Sequence, residues 1–135
     1  MSELKYQEEI NKMECDLNGF SEQERIAFRW TFDDINNEKN FLPRFLLKPN
    51  MERNDCRGWG LSFFDTQDLA KKRLKEIVGY RMNLYNILGS HVATGILEKT
   101  DGISDNAHNN GHFTHFEYQN VDLSVKFSIV EQIQE

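Results

Sequence analysis

One segment in the middle of the chain is written for a single structure, and it bounds what the rest can be. Asp65-Thr66 offers a side-chain oxygen to cap a helix, Leu69, Ala70, Leu74, Ile77 and Val78 form one apolar stripe, and Lys71, Lys72, Lys75 and Glu76 lie outside it. Gly79 stands at the C-terminal stop. No helical pattern of this quality recurs on either side. Period two takes over instead: Phe28, Trp30 and Phe32 alternate with Arg29 and Thr31, and Val92 to Leu97 forms a short apolar run. His112 to Tyr118 reads as a strand, and Val121, Leu123, Val125, Phe127 and Ile129 alternate with Asp122, Ser124, Lys126 and Ser128. Strands gathered around one helix do not give the regular βαβα order of a parallel sheet. The predicted fold is α+β, a mainly antiparallel twisted sheet packed on one central helix with N-terminal helices, in one domain over residues 1–135.

The remaining elements follow from weaker signals. Leu4, Tyr6, Ile10, Met13 and Leu17 recur at helical spacing up to Asn18-Gly19, and Ser21 with Glu24 has the capping-box spacing of a second short helix. Asp33 to Asn40 reads as a solvated loop. Phe41 to Leu47 reads as a strand that Pro43 pushes to an edge, and Gly58 to Phe64 as a strand whose glycines permit close backbone approach. Residues 80–89 suggest a helical turn or two ending at Gly89. Lys99 to Gly111 has one apolar anchor, Ile103, and is expected to be the longest mobile loop. A turn at Gln119-Asn120 would make the final two strands a hairpin with one wet face.

Charge and cysteine usage narrow the function. Sixteen basic against 22 acidic residues leave a net charge of -6, which repels phosphate backbones and argues against nucleic acid as a main partner. No apolar run approaches the roughly 20 residues of a spanning helix, so no membrane role is expected. Cys15 and Cys56 have no metal-site spacing and read as free thiols, which suits a reducing compartment and a cytoplasmic location.

Few residues suggest chemistry. His91, His108, His112 and His115 lie in the last third, but His112 and His115 are three apart and point to opposite faces of a strand, so no metal site is assigned. Glu117 stands between Phe116 and Tyr118 and is the best candidate for acid–base work, although alternation turns His115 and Glu117 to water and Phe116 and Tyr118 to the core. Arg44 interrupts an apolar strand, as an anion anchor or as an edge guard. Nucleotide-binding glycine loops are missing and no cofactor is called for. Aromatic residues near loops, chiefly Trp30, Trp59, Phe63 and Phe113, are the candidate contacts for a partner protein.

The order of Arg44 on one strand, Ser62 at the end of Gly60-Leu61-Ser62, a helix at once after it, and Glu117 on a late strand resembles that of small ADP-ribosyltransferase-like domains. The resemblance implies that Arg44 grips the phosphates of a nicotinamide dinucleotide, Ser62 supports its ribose and nicotinamide, and Glu117 stabilises an oxocarbenium-like transition state. His115 stands two residues before Glu117, where that family has a second acidic residue. Two readings result: a small acidic module that works by binding another protein, and an enzyme or binder directed at a dinucleotide through Arg44, Ser62 and Glu117.

Overall fold

Alternation and pairing combine into one six-stranded antiparallel sheet in a computed structural model that describes residues 3–133. The strands are β1 (Arg25–Thr31), β2 (Leu61–Phe64), β3 (His91–Leu97), β4 (Gly102–Ser104), β5 (His112–Glu117) and β6 (Ser128–Gln132). Their spatial order is β4-β5-β2-β1-β3-β6, and every neighbouring pair is antiparallel. Together with several helices this is the α+β class expected.

The helix over Gln67–Val78, here α3, forms where its pattern requires. Thr66 caps it by accepting a hydrogen bond from the Leu69 amide, and Gly79 ends it at a φ of 53°, a left-handed conformation in which glycine escapes the Cβ clash. Ala70, Leu74 and Val78 are buried against Phe64 and Val92 of the sheet, with Phe28 and Trp30 at the margin. After it, a 3₁₀ turn at Met82–Leu84 and the one-turn helix Tyr85–Leu88 end at Gly89, as expected.

The opposite face of the sheet carries Ala27, Phe63, Ala93 and Phe113. The segment that covers it was expected to be a hairpin strand beside β5. Instead the chain leaves β5, crosses this face, and pairs β6 with β3 at the far edge. Leu123 and Phe127 plug the core on the way, while Val125 is exposed, so the alternation in this stretch does not mark one strand. A 3₁₀ turn at Glu38–Phe41 closes the same face: Asn40 is buried, accepts from the Phe32 amide and donates to the carbonyls of Asp34 and Ile35. The loop read as solvated is therefore anchored at its end.

Other expectations are corrected at the sheet's first edge. Lys99 to Gly111 is not one continuous loop: it contains β4, and Asp101, Gly102, Ile103 and Ser104 are buried, which leaves only residues 105–111 as a loop. Ser21 does not start a helix; it bridges Ser104 and guards the edge of β4. Of the two N-terminal helices expected, only α1 (Gln7–Lys12) forms, and it lays Ile10 into a cluster with Phe45, Trp59, Ile103 and Phe116. Phe41 to Leu47 is not a strand: Pro43 precedes the single-turn helix α2 (Arg44–Leu47). A Cβ on Gly58 would lie 2.3 Å from the Phe45 ring, so the glycine of Gly58-Trp59-Gly60 does permit close approach. Finally, Cys15 and Cys56 are not free. They are joined in a disulfide across 41 residues of sequence, with Cα atoms 5.9 Å apart, and so give no argument for a reducing compartment. Among the described residues no helix is long and apolar enough to cross a membrane.

Candidate functional site

Apart from Thr31 and Asn40, the buried polar and charged residues among those described, Asp101, Ser104, Thr114, His115 and Glu117, lie on or beside β5, whose two faces are both covered. Phe113, His115 and Glu117 point one way, beside Leu61 of β2 and Ser104 of β4, while Thr114 and Phe116 point the other. His115 and Glu117, expected to face water, are 1% and 6% exposed. The reason is topological: the crossover after β5 and the N-terminal segment both lie over a face that would otherwise be wet.

Glu117 accepts a 2.9 Å bond from the Lys5 ammonium, which also donates to the Val121 carbonyl at 2.7 Å. Burial raises the Glu117 pKa above the usual carboxylate range, against the opposing pull of Lys5 and Arg29. Arg29 lies on the same face of the sheet. Its guanidinium donates 2.6 Å bonds to the carbonyls of Asn40 and Ser62 and lies 5.6 Å from the Phe63 ring centre. As a whole residue Arg29 is half-buried, yet the surrounding protein desolvates its head group and lowers the pKa to about 10, so the cation persists at neutral pH. His115 Nδ1 pairs with the Ser104 hydroxyl at 2.7 Å, and its Nε2 is buried without a hydrogen-bond partner. Burial pushes its pKa down to about 4, against the opposing charge of Asp101, so the ring is neutral at pH 7.

A raised carboxylate beside a neutral imidazole is the chemistry of proton transfer, but a reaction also needs room for a substrate. The cavity beside the pair is walled by Leu4, Lys5, Tyr6, Trp59 and Phe116 and is too narrow for water. A different depression is open: a cleft of about 540 Å³ lined by Asp16, Leu17, Phe20, Asn54, Asp55, Cys56, Arg57 and Phe116.

The three residues of the dinucleotide reading are not brought together. Ser62 pairs with Thr114, three residues from Glu117, so Ser62 and Glu117 project from opposite faces of the sheet; Ser62 is exposed and Glu117 buried. Arg44 is exposed on α2, outside the sheet. The four aromatic contacts expected for a partner are core residues. Trp59, Phe63 and Phe113 are buried, and Trp30 is half-buried with its indole N–H bonded to the Ala70 carbonyl at 2.8 Å. The other histidines are scattered: His91 pairs with the Ser90 hydroxyl, while His108 stacks on His112 and lies 4.0 Å from Asp105. Among the described residues, no three His, Cys, Asp or Glu side chains gather to hold a metal ion.

Missed by sequence reasoning were Lys5, Arg29, Asn40 and Ser104, ordinary polar residues whose burial depends on distant segments. Another feature missed was legible in the spacing: Tyr80, Met82 and Ile87 are all exposed, on the turns that follow α3. No protein family, curated protein or solved structure matches the chain.

Proposed function

We propose that this protein is a protein-interaction module whose contact surface is α3 with the turns after it. The observation that carries the reading is the exposure of Tyr80, Met82 and Ile87 within eight residues, on a piece of chain seated on the core by buried Tyr85. Tyr and Met, with Arg, are the side chains enriched where proteins meet, because they bring large contact area. Arg81 sits among them and donates to the Ile77 carbonyl at 2.8 Å, which ties the knob to the last turn of α3.

Charge indicates the partner's chemistry. Residues 67–81 hold five cations (Lys71, Lys72, Arg73, Lys75 and Arg81) against Asp68 and Glu76, a local charge of +3 in a chain of -6, which leaves -9 for the rest. Lys71 is paired with Glu131 of β6, which leaves Lys72, Arg73, Lys75 and Arg81 as the exposed cations of this surface. A positive, apolar-tipped surface on an otherwise negative protein favours an acidic face of another protein and orients its approach. The dinucleotide reading has no comparable support, since its three residues do not share a cleft.

The test is cross-linking capture by the wild-type chain, by a Tyr80→Ser/Met82→Ser/Ile87→Ser variant and by a Lys72→Glu/Arg73→Glu variant, all with matched circular dichroism. The expected result is a partner lost with both variants and weakened by salt. Identical capture by all three chains would refute the assigned surface.

A further inference from the structure

The Cys15–Cys56 disulfide borders an open cleft and ties down a segment that is otherwise held by apolar packing more than by hydrogen bonds to the rest of the fold. Both cysteines are half-buried; Cys56 is on the wall of the open cleft of about 540 Å³, while Cys15, next to the wall residues Asp16 and Leu17, packs against the core cluster. Cys15 belongs to the stretch between α1 and Phe20, and among the described residues the hydrogen bonds made by residues 13–20 are local to residues 9–20. The helix α1 has six residues, fewer than an isolated helix needs to persist in water. Glu14, next to Cys15, is held at a φ of 54°, a left-handed conformation that disfavours a residue with a side chain. Beyond the disulfide, this stretch is anchored by apolar contacts of Ile10, Met13, Leu17 and Phe20, whose ring lies 5.1 Å from that of Phe116, and by backbone bridges at its two ends, Leu4 with Tyr118 and Ser21 with Ser104. The sheet is held by its own hydrogen-bond ladder.

We propose that Cys15–Cys56 is a thiol-exchange site reached through this cleft, and that its reduction by a dithiol frees the stretch from α1 to Phe20 while leaving the sheet folded. A thiolate of the reductant attacks Cys56 Sγ, the S–S bond breaks, and Cys15 leaves as a thiolate that takes a proton from solvent. The second thiol of the reductant then attacks the mixed disulfide, closes its own disulfide and releases Cys56, so two electrons and two protons pass to the protein. Arg57 beside Cys56 favours the approach of the anion; Asp16 and Asp55, also on the cleft wall, oppose it. Because Ile10 also lines the closed cavity beside His115 and Glu117, freeing this stretch opens that cavity on one side.

The experiment uses the intact oxidised chain. Glutathione followed by rapid alkylation and peptide mapping should place the first mixed disulfide on Cys56; an adduct on Cys15 would overturn the assigned direction of attack. Dithiothreitol should reduce the bridge without denaturant at a rate proportional to its concentration, and a plateau at the rate of global unfolding would overturn access through the cleft. In hydrogen exchange, reduction should speed the amides of residues 7–20 at least tenfold and leave those of β1 and β3 unchanged. Acceleration of all of them together, or of none, would overturn the local release.

Discussion

His115 should make this protein acid-sensitive well above the range in which carboxylates protonate. Its ring is almost fully enclosed, accepts or donates one bond to Ser104, and is held neutral by burial, with a pKa near 4 in place of the ordinary 6.5. Above pH 6.5 both folded and unfolded chains carry a neutral ring, and the native state keeps its full stability. Between about 6.5 and 4 the unfolded chain binds a proton that the native chain refuses, so stability falls as pH falls. At about 1.4 kcal/mol per pH unit, the loss reaches about 2 kcal/mol by pH 5 and about 3 kcal/mol when both states are protonated. Glu117 works with the opposite sign: its raised pKa lets the native state hold a proton longer, so its contribution falls as pH rises above the unfolded value. That contribution is present in both arms of the comparison and cancels. The perturbation is His115→Gln, which keeps a polar partner for Ser104 and cannot titrate. Urea unfolding of the two chains at about pH 7.5 and about pH 5 should show wild type losing about 2 kcal/mol relative to the variant on acidification. If the difference between the chains is the same at both values, the ring is not held neutral by burial and the reasoning fails.

Leu74 is fully buried between α3 and the sheet, so Leu74→Ala should cost about 2–5 kcal/mol of stability, read as a lower urea midpoint with an unchanged slope; a cost under about 1 kcal/mol would mean that the helix does not pack as described. Asn40→Ala removes the bonds to Phe32, Asp34 and Ile35 from a buried side chain and should cost about 2–3 kcal/mol, with accelerated hydrogen exchange confined to residues 32–41.

The elements legible in the sequence share one property: their signals lie in consecutive residues. The stripe of α3 with its Thr66 and Gly79 boundaries, the aromatic alternation of β1 and the runs of β3 and β5 are each complete within fourteen residues or fewer, so local conformational preference is enough to place these elements, although not to say which polar residues of β5 are buried. The knob at Tyr80, Met82 and Ile87 was open to the same reasoning, since inward Leu84, Tyr85 and Leu88 leave those three outside.

What the tertiary structure alone decided was which distant segment lies beside which. β4 has three residues, too few to show a period, and exists because β5 pairs with one side of it and Ser21 with the other. Alternation from Val121 to Ile129 is compatible with a hairpin on β5 or with a crossover to β3, and only the second route places Leu123 and Phe127 over Phe63 and the core. That route, with Lys5 arriving from the other end of the chain, is what buries His115 and Glu117, and neither residue carries any local mark of it. The pairing of Cys15 with Cys56 likewise depends on the N-terminal segment folding over the turn before β2. Period is a property of neighbours in sequence, whereas burial of a polar residue is set by whatever covers it, and here the covers come from tens of residues away.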